Sequence, residues 1–232
     1  MPINKGEFVL IEYTIRVKET GLLLDTTDLE LAKKENIYDP EKIYGPILVV
    51  IGRNWINSYV EQELAKMEIG EEKIIEVPPD KAFGERDPNK IKTFSLREFK
   101  RKGYNVNVGD VIEMGGAQGV IKSINGGRVI VDFNHPLAGK SLVYKVKVVK
   151  KLESFDEKIK ALVTRHLGIP PDEIGIDYNE DKKTLILKMP GKYLSRRNLG
   201  YAKIALASDI FDLVKEQVDV LIYHEELRRP GS

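Results

Sequence analysis

Short segments of alternating apolar and polar residues, divided by turn residues, run through much of the chain and constrain its fold most strongly. In residues 8–17 the more apolar parity consists of Val9, Ile11, Tyr13 and Ile15. Because successive side chains of a strand point to opposite faces, this pattern predicts a β-strand with that face toward the core. Asn125-Gly126, between two further segments, predicts a tight hairpin. The first part of the chain is therefore expected to be β-rich.

Two short helices are predicted among these strands. The first is a helical turn at residues 29–35, inside an unusually long polar connection. The second follows the apolar strand 47–51, where Ser58-Tyr59-Val60-Glu61 matches a capping box. Its apolar residues recur at helical spacing and are Val60, Leu64 and Met67. We expect Ser58 to cap this helix and its apolar face to be buried.

The segment 87–132 separates two β-rich stretches and has a pattern of its own. It reads as a strand at 91–94, a short helix at 95–101 and three strands at 110–114, 118–124 and 128–133. The glycine-rich run 115–119 lies between two of these strands, so we interpret it as a turn and not as a phosphate-binding loop. The segment is predicted to form a small inserted β-rich domain.

The last segment, residues 153–232, has the predicted order α-β-β-α-β and is expected to be a compact α+β domain. Gly168 is predicted to end its first helix, and Asn198 to cap the second. The final strand is predicted over 217–227 and is apolar on both faces, which requires cover on both sides. We expect a homodimer through residues 153–232, the alternative being a self-contained domain with one solvated sheet face.

Composition excludes several kinds of chemistry. The formal net charge is +1, so no bulk attraction to nucleic acid or to an anionic membrane is implied. Cysteine is absent, which excludes disulfides and thiol catalysis, and the 3 histidines lack metal-ligand spacing. No cofactor, no metal and no membrane segment are expected, and the cytoplasm is the expected location. The high charged fraction, 31%, is typical of thermophile proteins.

One run of residues is the most informative motif: Asn134-His135-Pro136-Leu137-Ala138-Gly139-Lys140, followed by a strand-like segment. Other pieces precede it in a fixed order: Tyr13, Leu24-Asp25, the run 52–59 and Ala82-Phe83-Gly84. Together they resemble the FKBP-type peptidyl-prolyl isomerases in their SlyD-like form, where an N-H-x-L-A-G loop precedes the last strand. With its extra C-terminal segment, the chain is similar to the long archaeal form of that family.

The resemblance implies an α+β fold in which an antiparallel sheet wraps around a short helix. Residues 1–86 and 133–152 would form the isomerase domain, residues 87–132 a chaperone domain inserted in the flap, and residues 153–232 a C-terminal extension. The family's bacterial members often carry a histidine-rich metal-binding tail, and the present sequence offers no counterpart. Metal binding is therefore not implied.

The resemblance also implies site residues. Catalytic roles would fall to Tyr13, Asp25, Ile56, Tyr59, Phe83 and Tyr144. Substrate contacts would come from Leu24, Ile47, Val49, Trp55, His135 and Leu137. In the family, the residue at the position of Ile56 donates its backbone N–H to the substrate, and the acid at the position of Asp25 is thought to bond a tyrosine hydroxyl, for which Tyr13 is available. From spacing alone, each aromatic residue is equally compatible with ordinary core, Asp25 with a turn and His135 with a polar loop.

The implied reaction is compatible with the residues present. Rotation about an X–Pro bond breaks amide resonance but makes no bond, so neither a nucleophile nor a metal is needed. The catalyst needs an apolar pocket that holds proline and dehydrates the preceding carbonyl, and a group that steadies the twisted amide. The chain departs from the family at Phe83, where a tyrosine is usual, at Trp55, where a valine is usual, and at Leu24 and Ile47, where many members carry phenylalanine.

The inserted segment is rich in apolar residues, which favours a surface that captures unfolded chains. The residues expected on it are Ile91, Phe94, Leu96, Phe99, Tyr104 and Met114. The expected partners are unfolded or nascent polypeptides that contain proline. The alternative function is a holdase or ribosome-associated binding protein with a vestigial pocket. Nucleic-acid binding is not expected, because the hairpins at 109–133 contain few basic residues.

Overall fold

The computed structural model describes residues 2–101 and 103–227. Its strands, in chain order, are β1 (Phe8–Val17), β2 (Leu23–Thr26), β3 (Ile47–Val50), β4 (Glu72–Val77), β5 (Ile91–Ser95), β6 (Val111–Met114), β7 (Ala117–Asn125), β8 (Arg128–Asp132), β9 (Leu142–Leu152), β10 (Gly175–Asn179), β11 (Thr184–Pro190) and β12 (Val220–Glu226). Its α-helices are α1 (Leu29–Lys34), α2 (Ser58–Leu64), α3 (Leu96–Arg101), α4 (Phe155–Leu167) and α5 (Leu199–Leu213). The elements predicted from the sequence are confirmed, with differences at their ends.

The described chain forms two compact units. The first contains the residues up to 16, residues 21–75 and the residues from 143 onward. The second contains residues 17–20 and 76–142. None of the helices in the described residues is long and apolar enough to cross a membrane.

A five-stranded sheet organises the first unit, in the order β2-β1-β9-β4, with β3 also paired to β1. The long strand β1 pairs with β3 near its start and with β2 near its end, both antiparallel. Val9 and Ile11 are fully buried, as predicted, because they lie on the face that points to the core. Val60 and Leu64 of helix α2 are buried, as predicted, and so is Met67, which lies just after the end of the helix.

The start of α2 differs from the prediction. Asn57, not Ser58, is the N-cap, and its side-chain oxygen accepts hydrogen bonds from the backbone N–H groups of Tyr59 and Val60. Asparagine caps a helix as well as serine does, because its short side chain reaches the free N–H groups of the first turn. The predicted capping box at Ser58 is therefore wrong by one residue.

The C-terminal segment has the predicted order α4-β10-β11-α5-β12. Its three-stranded sheet pairs β10 antiparallel and β12 parallel to the central β11, with α5 as the crossover between the parallel strands. Gly168 ends α4 in the left-handed conformation, as predicted. Asn198 precedes α5, but its side chain makes no capping bond. The final strand is β12, shorter than the predicted 217–227, and it lies at the edge of the sheet.

The C-terminal segment and the five-stranded sheet share one hydrophobic core. From the sheet, this core takes Phe8, Leu48 and Val50, which lie on the face of β1 and β3 that carries α4. From the C-terminal segment it takes, among others, Ile159, Leu162, Leu185, Leu187, Leu206 and Ile210. Burial of apolar surface stabilises by about 25 cal/mol per Å², so the shared core stabilises the packing of the C-terminal segment on the sheet.

The second unit contains a four-stranded antiparallel sheet in the order β5-β8-β7-β6. Gly115 and Gly116 form the turn between β6 and β7, with positive φ angles, as the turn interpretation predicts. A small core packs on α3 and consists of Phe99, Ile121, Val129 and Val131. The inserted β-rich module predicted from the sequence is therefore present within this unit.

Candidate functional site

Strands β1 and β2 bring Tyr13 and Asp25 together. Asp25 on β2 lies opposite Ile15 of β1, and Tyr13 is two residues before Ile15 on the same strand. The Tyr13 hydroxyl donates a 2.6 Å hydrogen bond to Oδ2 of Asp25. The other carboxylate oxygen, Oδ1, accepts the backbone N–H of Thr26 at 2.8 Å. The tyrosine–acid contact implied by the resemblance is present in the structure.

Lys42 completes this cluster, and the sequence reasoning missed it. Its ammonium forms an ion pair with Oδ1 of Asp25 and donates to the carbonyl of Thr26 at 2.9 Å. The same ammonium lies 5.8 Å from the Tyr13 ring centroid and 5.4 Å from that of Tyr44. The only sequence signal was a lysine in the polar connection after β2, and nothing in that pattern distinguished Lys42 from its neighbours.

Burial and charge hold the two tyrosines of this cluster in the protonated form. Burial raises the pKa of Tyr13 strongly, and its hydrogen bond to the Asp25 carboxylate raises that pKa further. Burial also raises the pKa of Tyr144 on β9, and the negative charge of Asp25 contributes. Both hydroxyls therefore remain proton donors over the whole neutral range. This arrangement supplies orientation and a fixed field.

The segment 52–57 joins β3 to α2 and carries two of the implied site residues, Trp55 and Ile56. Gly52 and Asn54 adopt positive φ angles, so the segment turns sharply. The backbone N–H of Gly52 donates a 2.6 Å hydrogen bond to Oε1 of the buried Glu61. Ile56 is half-buried, as is Tyr59 in the first turn of α2. The turn thus places an apolar side chain and an aromatic side chain beside each other at the start of the helix.

Trp55 contacts the C-terminal segment. The guanidinium of Arg165 on α4 lies 4.1 Å from the Trp55 ring centroid, and His166 meets the same ring edge-on at 6.3 Å. Arg165 was not predicted from the sequence, because its role depends on a contact between segments far apart in the chain. The tryptophan, found where the family usually has valine, is half-buried against this contact.

The remaining predicted residues of the first unit differ in accessibility. Leu24 on β2 and Ile47 on β3 are half-buried. Val49 shares the Ile47 face of β3 but is 0% exposed, so it is part of the core and cannot touch a substrate in this conformation. The expectation of a direct substrate contact from Val49 is therefore corrected.

Within the second unit, Phe83 and His135 stack face to face, with ring centroids 4.5 Å apart and planes 5° apart. The backbone N–H of Gly139 donates to the carbonyl of Gly84 at 2.8 Å, which ties the loop after β8 to the turn that carries Phe83. Leu137 lies half-buried in that loop. Phe83 is 45% exposed, so this pair offers an apolar, aromatic surface to a ligand.

The inserted sheet carries a groove of about 760 Å³ between α3, the following loop and β6. Its apolar lining consists of Phe94, Phe99, Tyr104, Val106, Val111, Ile112 and Met114. Tyr104 and Val111 are exposed, and Phe94 and Met114 are half-buried. Phe99 is only 5% exposed and belongs to the small core, so its place on an exposed surface is corrected. Ile91 is exposed on β5 and Leu96 is half-buried, but neither lines this groove.

Within the described ranges, no group of three or more histidine, aspartate or glutamate side chains is arranged to hold a metal ion. The Tyr13–Asp25–Lys42 cluster of the first unit presents hydroxyl, carboxylate and ammonium groups beside aromatic rings.

Comparison with known proteins decides the family. The chain is 35% identical over 146 residues to a short-type peptidyl-prolyl cis-trans isomerase of Methanocaldococcus jannaschii, covering 63% of this chain and 92% of the relative. The chain belongs to the FKBP-type peptidyl-prolyl cis-trans isomerases. It is also 36% identical to an FKBP-type 16 kDa isomerase of Escherichia coli (45% of this chain, 73% of the relative). It is 30% identical to the isomerase SlyD of Helicobacter pylori (66% and 76%).

Two family models match parts of this FKBP-type chain. Residues 93–137 match the FKBP26 IF domain, and residues 155–225 match the FKBP26 C-terminal family. The FKBP-like sheet on a short helix, the inserted β-rich module and the α+β C-terminal segment are the parts expected of an FKBP-type protein of the long form.

Proposed function

We propose that this FKBP-type isomerase accelerates X–Pro rotation in unfolded and partly folded polypeptides through a pocket built around Tyr13 and Asp25. The observation that supports the proposal most directly is the Tyr13–Asp25 hydrogen bond beside the buried Tyr144. Within the same unit, the substrate is proposed to contact Leu24, Ile47, Trp55, Ile56 and Tyr59. In the second unit, considered by itself, the proposed substrate contacts are Phe83, His135 and Leu137.

The proposed mechanism needs no covalent step. The uncatalysed barrier is about 18–20 kcal/mol, because rotation removes amide resonance. An apolar pocket removes water from the carbonyl before proline and so weakens the charge-separated resonance form of the planar amide. The backbone N–H of Ile56 is proposed to hold the substrate chain, and the aromatic ring of Tyr59 to contact the proline ring. Phe83, in the second unit, is proposed to offer the substrate a further aromatic surface. Each contact accelerates the reaction only as far as it favours the twisted amide over the planar one.

We propose that the inserted domain adds chaperone activity. The groove beside α3 is lined by apolar side chains, of which Tyr104 and Val111 are exposed. Exposed apolar surface binds segments of unfolded chains. Because the inserted domain and the isomerase domain belong to one chain, such binding raises the effective concentration of the substrate for the isomerase. The proposed partners are therefore proline-containing unfolded or nascent polypeptides, with no nucleic acid and no membrane among them.

A homodimer through residues 153–232 remains a proposal, and one face of α5 supports it. Tyr201, Ile204 and Phe211 are exposed on that helix, and Val220 and Ile222 are exposed on the neighbouring edge strand β12. A second copy could bury either set through a two-fold contact, in which the same surface of each protomer meets itself. A cytoplasmic location also stays a prediction; the lack of cysteine is compatible with it.

The deciding experiment compares two substrates. Isomerase activity is measured on a proline-containing tetrapeptide and on a protein whose refolding is limited by proline isomerisation. The full chain is compared with a variant in which a short loop replaces residues 87–132. We expect equal tetrapeptide activity and much slower catalysed refolding without the insert. Absence of activity on both substrates would favour the alternative, a holdase or ribosome-associated protein with a vestigial pocket. Equal refolding rates would contradict the chaperone role.

A further inference from the structure

We propose that the C-terminal segment is a positioning element of the isomerase pocket and acts through Arg165 and Asp209, which hold the segment 52–57. This inference rests on the proposed function, because that segment carries Ile56, whose backbone N–H is proposed to hold the substrate. Arg165 and Asp209 are positioning residues: they act through the segment and not on the substrate.

The first contact is the stacking of Arg165 on Trp55. The guanidinium carbon lies 4.1 Å from the indole centroid, which is the distance of a close stack. Nη1 of Arg165 also points to the carbonyl of Leu48 on β3, at 3.4 Å. Arginine suits this role because its planar group can lie on an aromatic face and still donate hydrogen bonds at its edge. Trp55, directly before Ile56 in the chain, is thereby held from the side of α4.

The second contact is a charge cluster at the other end of the turn. Nη2 of Arg53 lies 2.7 Å from Oδ1 of Asp209 on α5, and its Nη1 pairs with Asp212 one turn later. Oδ2 of Asp209 meets Nε2 of His166 at 2.7 Å. Asp209 is mostly buried, with 13% of its side chain exposed, so its bonds are less screened by solvent than those of a surface pair. Asp209 thus joins the turn, through Arg53, to α4, through His166.

These contacts act on a turn that is otherwise held mainly at its two ends. Gly52 is bonded to Glu61, and Asn57 caps α2. Between them, Arg53 and Trp55 are both held by the C-terminal segment. Because a displacement of catalytic groups by about 1 Å can cost two orders of magnitude in rate, a contact that fixes this turn affects catalysis without touching the substrate.

The same contacts account for a departure from the family pattern. An isomerase that lacks the C-terminal segment has no counterpart of Arg165 or His166. The side chain at the position of Trp55 then has no helix to contact, and a valine is large enough there. In the present chain the larger indole ring spans the gap to α4, where it joins the edge of the shared core. The substitution therefore serves the contact between segments at least as much as the substrate.

The test uses the full-length protein and the variants Arg165→Gln, Asp209→Asn and Arg53→Gln. Each is expected to lower kcat/KM for a tetrapeptide by about tenfold, equivalent to about 1.4 kcal/mol, with most of the loss in kcat. The double variant Arg53→Gln/Asp209→Asn should lose less activity than the sum of the two single losses, since the Arg53–Asp209 contact is broken by either change. Glu173→Gln is the matched control: it removes an ion pair with Lys192 elsewhere in the C-terminal segment and should leave activity unchanged.

Trp55 reports on the contact directly, because it is the chain's only tryptophan. In Arg165→Gln its fluorescence should become more accessible to acrylamide, while Arg165→Lys, which keeps the charge but not the plane, should be intermediate in both quenching and activity. Thermal unfolding identifies any variant that fails to fold. In that case the activity and quenching of Arg165→Lys and of Asp212→Asn, a change at an exposed residue, are measured in its place.

Three outcomes overturn the proposal. Folded variants with altered Trp55 quenching and full activity would show that the pocket does not depend on the contact. Unaltered quenching in Arg165→Gln would show that the contact does not form in solution. An inactive wild-type protein would overturn the proposed function together with this inference, whereas an active wild type with unaffected variants would overturn this inference alone.

Discussion

Oδ2 of Asp25 receives the Tyr13 hydroxyl at 2.6 Å, while Oδ1 receives the N–H of Thr26 and the ammonium of Lys42. Both oxygens of the carboxylate are therefore engaged. A group held in this way is well placed to orient a tyrosine and to maintain a local field, and poorly placed to exchange protons with a substrate.

This relationship predicts the ranking of two substitutions at Asp25. Asp25→Asn keeps the shape and can still accept the Tyr13 hydroxyl, whereas Asp25→Leu removes the acceptor and leaves Tyr13 unpaired. We expect kcat/KM of the leucine variant to be about tenfold lower than that of the asparagine variant. This ratio corresponds to a difference of about 1.4 kcal/mol in activation free energy. Steady-state assays on a tetrapeptide measure this. Equal activities would mean that the hydrogen bond is unimportant for catalysis.

The raised pKa of Tyr13 predicts how stability depends on pH. The pKa of Tyr13 is higher in the folded state than in the unfolded state, where it is about 10. Its contribution to the free energy of unfolding is therefore fully present below about pH 10 and is lost as the pH rises further. The stability difference between wild type and Tyr13→Phe should therefore be constant across neutral pH and shrink above about pH 10. Chemical denaturation at several pH values checks this. A difference that changed near neutrality would point to another titrating group.

Catalytic activity should likewise be flat across neutral pH, since Tyr13 and Tyr144 both have raised pKa values. A bell-shaped profile centred near neutrality would instead indicate general acid–base catalysis.

Loss of an aromatic wall should cost activity without unfolding the protein. Phe83→Ala and Tyr59→Ala each remove apolar enclosure, and we expect about a tenfold loss of kcat/KM, or about 1.4 kcal/mol, in each. Ile74→Ala, at an exposed apolar residue of β4, is the control. Circular dichroism confirms folding. If both folded variants were fully active, the assignment of these two residues to the pocket would fail.

Substitutions in the groove of the inserted domain should separate its two proposed activities. Tyr104→Ser and Val111→Ser change exposed groove residues and are expected to weaken binding of an unfolded protein several-fold, because each removes apolar contact area. Tetrapeptide isomerisation should be unaffected. Ile130→Ser, on β8 outside the groove lining, serves as the control. Binding is measured by fluorescence anisotropy of a labelled unfolded chain, and equal loss in the control would argue against the groove.

The homodimer is best tested in the full chain, since truncation at residue 152 would also expose Leu48 and Val50 of the shared core. Tyr201→Ser combined with Ile204→Ser changes only exposed side chains of α5. We expect a dimer for the wild type and a monomer for the double variant in sedimentation velocity. A wild type that sediments as a monomer ends the proposal.

The sequence by itself determined the elements and the family. Alternation along residues 8–17 was sufficient to predict β1 and the burial of Val9 and Ile11, because an apolar parity marks a face that avoids water. It did not predict that the C-terminal segment also covers the opposite face at Phe8. Helical spacing and Gly168 were sufficient for α4, because few residues other than glycine end a helix in the left-handed conformation. The ordered motifs around Tyr13, Asp25 and His135 were sufficient to recognise the family to which the chain belongs.

Only the tertiary structure decided which side chains meet. Lys42 and Arg165 carry no pattern that marks them, because each acquires its role from a partner distant in sequence: Asp25 for the lysine and Trp55 for the arginine. Val49 and Phe99 became core residues for the same reason, since periodicity gives the face of an element and not what covers that face. Long-range packing determines both which side chains meet and which faces are covered. The pattern of a single segment does not contain that information.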